Sequence, residues 1–256
     1  LRRVVANTTL RAGLTPAEID DEVRSRVAAG DDLYHLDEGA LRELDADLVV
    51  TQDLCAVCAI DVANVDDALR HLGCHADVVT VDPMTLEDVI ASIESLGAAV
   101  DREREARTLV AALRTRLESI ARATDGPAPR VAVLEWIDPL YCAGHWVPDL
   151  VSAAGATPAL GVSGERSRQV TLDELHGSMP DVVVVAPCGY GLEDSSAQAE
   201  VLVAGGTLPD VPVWAVDANA AFVRPGPRLV EGVEAVAAIT HPDQVPLRPE
   251  LARRIR

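Results

Sequence analysis

The residues best suited to chemistry in this sequence are its rare aromatic side chains. Aromatic residues make up only 3% of the 256 residues, as three tryptophans, three tyrosines and one phenylalanine. Six of these rings fall in or beside segments that directly follow strand-like, β-branched runs. Large rings are rarely left uncovered on a surface, so this clustering indicates either ligand contact or packing between domains. The six are Trp136, Tyr141, Trp146, Tyr190, Trp214 and Phe222.

Polar residues in the same segments could orient a ligand. Carboxylate, amide and guanidinium groups hydrogen-bond to a polar rim, and an imidazole can also ligate a metal. Ligands of open parallel sheets bind beyond the carboxyl ends of the strands, so we predict that these side chains line one site. The predicted ligand-contact residues are Asp53, Trp136, Asp138, Tyr141, His145, Trp146, Tyr190, Asn219, Phe222 and Arg224.

The five cysteines allow a metal or redox role but do not require one. Cys55 and Cys58 have the spacing of half a zinc site or of a redox pair. Cys142 and Cys188 also follow strand-like runs and could converge on that pair across a cleft. Cysteines are commonly buried as small hydrophobic residues, which is the default interpretation of all four. We assign no metal and keep the four thiols as candidate ligands.

Composition and missing motifs exclude several classes of function. The 41 acidic and 22 basic residues give a net charge of −19, which repels nucleic acid and anionic membranes. We find no uncharged apolar run of about 18 residues, so no transmembrane segment is predicted. The sequence also lacks a glycine-rich phosphate loop and a Gly-x-Ser-x-Gly elbow, and Asp138 has no evident base or nucleophile beside it. We therefore predict a non-enzyme that does not bind nucleic acid.

The order of helix-like and strand-like segments predicts an α/β fold. Apolar residues at helical spacing alternate with β-branched runs, which is typical of parallel sheets with helices on their faces. Predicted helices include 86–96, 100–123, 147–154, 171–176 and 228–239, and predicted strands include 47–51, 78–81, 130–134, 182–185 and 213–216.

The helix at 100–123 divides the chain. We expect two Rossmann-like lobes with parallel sheets, joined by this long backbone helix. Residues 1–97 form the N-terminal α/β lobe, 98–125 the interlobe helix and 126–256 the C-terminal α/β lobe. Only two strands precede the long helix, which is few for a sheet. We therefore expect the first lobe to be incomplete at its N-terminus.

Three segments carry a resemblance to a known family. They are 135–139 (Glu-Trp-Ile-Asp-Pro) with 144–150 (Gly-His-Trp-Val-Pro-Asp-Leu), 219–228 with its Arg-Pro-Gly-Pro-Arg, and 51–58 (Thr-Gln-Asp-Leu-Cys-Ala-Val-Cys). They resemble the cobalamin-binding branch of the helical-backbone (class III) substrate-binding proteins of ABC transporters. The likeness extends over nearly the whole chain, although the family's opening strand and its Pro-Ser-x-Thr-Glu loop do not precede Leu1.

The resemblance implies a function. It implies extracytoplasmic, periplasmic or cell-surface capture of a corrinoid or a related iron chelate. It also implies delivery to the membrane subunits of an ABC importer, which recognise acidic residues on each lobe tip. No cofactor is required, because the metal chelate is itself the ligand. In this hypothesis a flat macrocycle contacts Trp136, Trp146, Tyr190 and Phe222, while Asp138, Asn219 and Arg224 bond its amide rim.

Two other functions stay open at the level of sequence. One is a chelatase-like enzyme of tetrapyrrole synthesis, in which His145 would take the metal and an acid would deprotonate the ring. The other is a cytosolic metal or redox sensor that uses the cysteines. Turnover of metal into a porphyrin or corrin would favour the first, and metal analysis with thiol counting would test the second.

Overall fold

The computed structural model describes residues 6–11, 13–29, 31, 33–36, 43–44, 46–52 and 76–256. The chain forms two compact units, Leu1–Asp82 and Pro83–Arg256. The α/β fold class predicted from the sequence is confirmed. The finer division into lobes and a connecting helix, with boundaries at 97 and 125, stays a prediction.

The first unit contains two short pairs of strands. Strands β1 (Ala6–Thr8) and β2 (Tyr34–Leu36) pair antiparallel, and β3 (Leu48–Thr51) and β4 (Asp77–Thr80) pair parallel. The sequence predicts β3 and β4 but neither β1 nor β2.

Helix α1 (Pro16–Ala29) joins β1 to β2. The Thr15 hydroxyl accepts a hydrogen bond from the Glu18 amide at 3.3 Å, and the Glu18 carboxylate accepts one from the Thr15 amide at 2.8 Å. These reciprocal bonds form a capping box, which satisfies amides that a helix start leaves unpaired.

The second unit opens with two helices, α2 (Leu86–Ala99) and α3 (Glu103–Ala123). Ala106, Val110, Leu113 and Ile120 form the buried stripe of α3, as the helical spacing predicts. Leu109 belongs to the same predicted stripe, but its side chain is 39% exposed. The buried stripe is therefore narrower than the apolar pattern suggests.

A mixed sheet of seven strands forms the centre of the second unit, in the order β11-β10-β9-β5-β6-β8, with β7 paired to β5. β5, β9, β10 and β7 are parallel, whereas β6, β8 and β11 pair antiparallel to their neighbours. Only residues 138–139 separate β5 from β6, and so short a connection forces an antiparallel hairpin. The strands are β5 (Arg130–Ile137), β6 (Leu140–Cys142), β7 (Thr157–Pro158), β8 (Arg168–Gln169), β9 (Val182–Val185), β10 (Val213–Val216) and β11 (Ala252–Arg254).

Helices pack on this sheet, and its central strands are buried in the apolar core. All four valines of β9 are buried, which a strand in the middle of a sheet covered on both faces requires. None of the helices that the structure describes combines the length and the apolar character needed to span a bilayer. The remaining helices are α4 (Val147–Ala153), α5 (Leu172–Gly177), α6 (Leu192–Ala204), α7 (Ala218–Ala221) and α8 (Leu229–Thr240).

Candidate functional site

Three loops leave the sheet of the second unit at the same edge. Strands β5, β9 and β10 are parallel neighbours, so their carboxyl ends point the same way. The loops touch, because the Cys188 amide donates to the Glu135 carbonyl at 3.1 Å and the Asn219 amide donates to the Tyr190 carbonyl at 2.9 Å. We call this region the strand-exit edge; it comprises residues 135–146, 186–191 and 217–226.

An aromatic pair occupies the strand-exit edge. The ring centroids of Trp136 and Tyr190 lie 6.1 Å apart, with the ring planes tilted by 54°. Both side chains are half-buried, so each keeps a face that a ligand could cover. The Trp136 indole N–H donates to the Asp138 carbonyl at 3.1 Å, which fixes the orientation of the ring. Tyr141, opposite Trp136 in the hairpin, is also half-buried.

The other two predicted contact rings are inside the protein. Phe222 is 0% exposed and Trp146 is 5% exposed. The Trp146 indole N–H donates to the Phe222 carbonyl at 2.7 Å, so the start of α4 is bonded to the loop that follows β10. We therefore revise the expectation that these rings form a ligand surface. Their burial gives them a packing role beneath the edge.

His145 is held by the loop at residues 161–167. Its amide donates to the Glu165 carbonyl at 2.6 Å, and its carbonyl accepts from the Gly164 amide at 3.1 Å. Its backbone has a φ of +51°, in the left-handed region that few non-glycine residues adopt. Gly144 precedes it, and a Cβ atom there would overlap the backbone of residues 165–167. His145 itself is half-buried at the strand-exit edge.

The polar residues of the edge differ in their exposure. Asp138 and Arg224 are exposed, and Asn219 is half-buried. The Asp217 carboxylate is engaged locally, because it accepts the Ala220 amide at 2.9 Å and caps α7. The Asn219 Oδ1 atom is buried and accepts no hydrogen bond from the residues that the structure describes. A buried polar atom of this kind costs stability and is typical of functional sites.

The thiols of the described residues do not form a metal centre. Cys142 is 1% exposed, and burial raises the pKa of its thiol. Cys188 is exposed and follows β9, so the two cysteines lie on opposite sides of β5. Among residues 76–256 and the described parts before them, no three His, Cys, Asp or Glu side chains cluster to hold a metal. Asp53, Cys55 and Cys58 lie outside the described residues.

One contact near the site was not anticipated from the sequence. Asp149, in the first turn of α4, accepts the Leu86 amide at 2.9 Å on its Oδ2 atom. The sequence places Asp149 only within a family-like motif. An acidic residue three positions into a helix is common as a partner of that helix's own dipole, so the sequence carries no signal for a distant amide.

The chain has relatives among known folds. Residues 48–212 match the model of a family described as periplasmic binding protein. No curated protein sequence matches the chain. A periplasmic heme binding protein from Pseudomonas aeruginosa has a similar structure, with a TM-score of 0.64 and 21% identity over 85% of this chain and 80% of that chain.

Two further solved structures agree with this fold. The apo periplasmic heme-binding protein RhuT from Roseiflexus sp. RS-1 has a TM-score of 0.62 and 18% identity, over 80% of this chain and 78% of that chain. The periplasmic vitamin B12 binding protein BtuF of Vibrio cholerae has a TM-score of 0.56 and 19% identity, over 80% of this chain and 77% of that chain. Because the family model matches more than half of the sequence, the chain belongs to the periplasmic binding protein family.

Proposed function

We propose that this protein captures a corrinoid, such as cobalamin, or a related metal chelate and delivers it to an ABC importer. The aromatic pair of Trp136 and Tyr190 at the strand-exit edge is the observation that carries this proposal. Family relatives with similar structures bind heme or vitamin B12, which are both flat, metal-containing macrocycles.

The aromatic rings and polar side chains of the strand-exit edge suit such a ligand. Half-buried rings offer apolar area at a low entropy cost, and polar groups around them select an orientation. Asp138 and Asn219 lie beside the ring pair, because the Asp138 carbonyl accepts the Trp136 indole N–H and the Asn219 amide donates to the Tyr190 carbonyl. They offer a carboxylate and an amide, and the exposed Arg224 offers a guanidinium on the segment that follows Asn219. Binding needs no covalent step and no resident cofactor. The proposal therefore assigns the residues to recognition rather than to catalysis.

The partner and the location follow from the same proposal. The chain would act outside the cytoplasm, in the periplasm or at the cell surface, and hand its ligand to the membrane subunits of the importer. A chelatase or a cysteine-based sensor would need a metal-binding cluster, and the described residues favour neither.

Calorimetric titration with cyanocobalamin and with hemin tests the proposal, because heat does not depend on the strong absorbance of either chelate. We expect the wild type to bind at least one of them. The Trp136→Ala variant removes half of the ring pair and should weaken that binding by about tenfold, which corresponds to about 1.4 kcal/mol. Tyr190→Ala should weaken it by a similar factor.

Trp214→Ala is the matched control, since Trp214 is also half-buried but is the second residue of β10 and lies outside the strand-exit edge. Its affinity should stay within about twofold of the wild type. If neither chelate binds, or if Trp214→Ala weakens binding as much as Trp136→Ala, the proposed ligand class is wrong.

A further inference from the structure

The first turn of α4 joins two distant parts of the second unit. Asp149 lies in this turn, and its carboxylate accepts the amide of Leu86, which is the first residue of α2. Helices leave their first amides without partners, so this bond satisfies a donor that α2 cannot satisfy itself. The carboxylate is near two helix N-termini at once, where the dipole of each favours a negative charge.

The start of α2 also has a cap of its own. Asp88 accepts the Thr85 amide at 2.9 Å and the Met84 amide at 3.1 Å, and the Thr85 hydroxyl accepts the Asp88 amide at 3.1 Å. Two carboxylates therefore hold the same helix end. Asp88 acts within α2, whereas Asp149 connects α2 to α4.

Thr85 also lies close to Gly164. A Cβ atom on Gly164 would lie 3.8 Å from the Thr85 methyl group, and the Gly164 amide donates to the His145 carbonyl at 3.1 Å. Residues 84–86 are thus held by Asp149 and lie close to the loop that fixes His145. This position matters because Pro83 begins the second unit. Each unit is one continuous stretch of chain, so the peptide between Asp82 and Pro83 is their covalent connection.

The same end of α4 also reaches the strand-exit edge. Trp146 is the N-cap residue of α4, and its indole N–H donates to the Phe222 carbonyl in the loop after β10. A shift of the edge would therefore move the turn that carries Asp149. Packed helices transmit such shifts because close-packed interiors deform little.

We propose that Asp149 is a positioning residue that couples the strand-exit edge to residues 84–86 at the start of α2. The inference rests on the proposed function for its ligand, but the hydrogen bonds that Asp149 and Trp146 make are present without ligand. Asp149 touches no ligand in this scheme and acts through Leu86.

Matched variants of the two carboxylates test the inference. Asp149→Ala and Asp88→Ala each remove one acceptor at the start of α2, and Asp149→Asn retains an amide oxygen. Hydrogen exchange of the Gly144 and His145 amides is measured first, without ligand. Asp149→Ala should speed this exchange by about tenfold, while Asp88→Ala should leave it within about twofold of the wild type.

The dissociation constant for cyanocobalamin is measured second. Asp149→Ala should weaken binding by about fivefold or more, Asp149→Asn by less, and Asp88→Ala by no more than about twofold. Equal effects of the two alanine variants on exchange and on affinity would overturn the inference, since Asp149 would then be only another helix cap. If exchange responds as expected but the wild type binds no chelate, the coupling stands and the proposed ligand is refuted.

Discussion

The bond between Trp146 and Phe222 gives the sharpest test of how the strand-exit edge is built. Trp146→Phe removes the indole N–H and leaves the Phe222 carbonyl without its donor, in a place where Trp146 is 5% and Phe222 is 0% exposed. An unsatisfied buried carbonyl costs about 1–3 kcal/mol. The smaller ring adds about 1 kcal/mol of lost packing. The expected loss of unfolding free energy is therefore about 2–4 kcal/mol.

Urea unfolding followed by tryptophan fluorescence is the right assay. All three tryptophans belong to the second unit, so their emission reports the unfolding of that unit alone. With a slope of about 2 kcal/mol per molar urea, the midpoint should fall by about 1–2 M. Trp214→Phe removes an indole from a half-buried position and should cost less than about 1 kcal/mol. Equal midpoints for the two variants would refute the assignment of Trp146 as a buried hydrogen-bond donor.

Three other predictions concern the same unit. Burial raises the pKa of Cys142, so at alkaline pH its thiol keeps a proton that the thiol of the unfolded chain would release. The contribution of this thiol to the stability of the fold is complete below the pKa of the unfolded thiol and is lost as the pH rises from that value through the raised pKa. Peptide mapping after iodoacetamide treatment at pH 8 should show Cys142 reacting about tenfold more slowly than in urea-unfolded protein. Gly144→Ala would force a Cβ atom into the backbone of residues 165–167 and should lower the free energy of unfolding by about 1–3 kcal/mol. The control is Gly177→Ala, because a Cβ atom at Gly177 meets open space, and this variant should keep the melting temperature of the wild type. The hydrogen bond with the Thr85 side chain lowers the pKa of Asp88. The resulting stabilisation is present above the pKa of the unfolded carboxyl group and is lost as the pH falls through the lowered pKa. Thr85→Val should therefore raise the pKa of Asp88, as measured by an NMR titration.

Strong local patterns made much of the second unit predictable. Hydrophobic periodicity predicts four of its elements directly: the β-branched runs of β5, β9 and β10, and the apolar stripe of α3. Helix α6 is not among the helices predicted from the sequence, because its segment contains two adjacent serines, Ser195 and Ser196, and has no clear apolar face. Its cap has no side-chain hydrogen bond, so the usual start signal is absent as well.

The short strands β7, β8 and β11 could not be predicted from the sequence either. β7 and β8 have two residues each, which is too short for an alternating pattern, and β11 consists of an alanine and two arginines. Such strands form because an existing sheet edge offers backbone partners, and not because their own side chains prefer it. Clustering of loops at the carboxyl ends of strands was foreseeable, since chain order and parallel pairing determine it.

Burial separates two roles among side chains that look alike in the sequence. Trp136 lies near the end of β5 and Trp146 follows the β5–β6 hairpin, and both carry an indole N–H. Trp136 donates to the Asp138 carbonyl beside it and stays half-exposed, whereas Trp146 donates across 76 residues to Phe222 and is buried. A ring can contact a ligand only if part of its surface is open, and it holds that position only if the loop beneath it is rigid. In the proposed binding site, Trp146 and Phe222 therefore support the loops that present Trp136 and Tyr190.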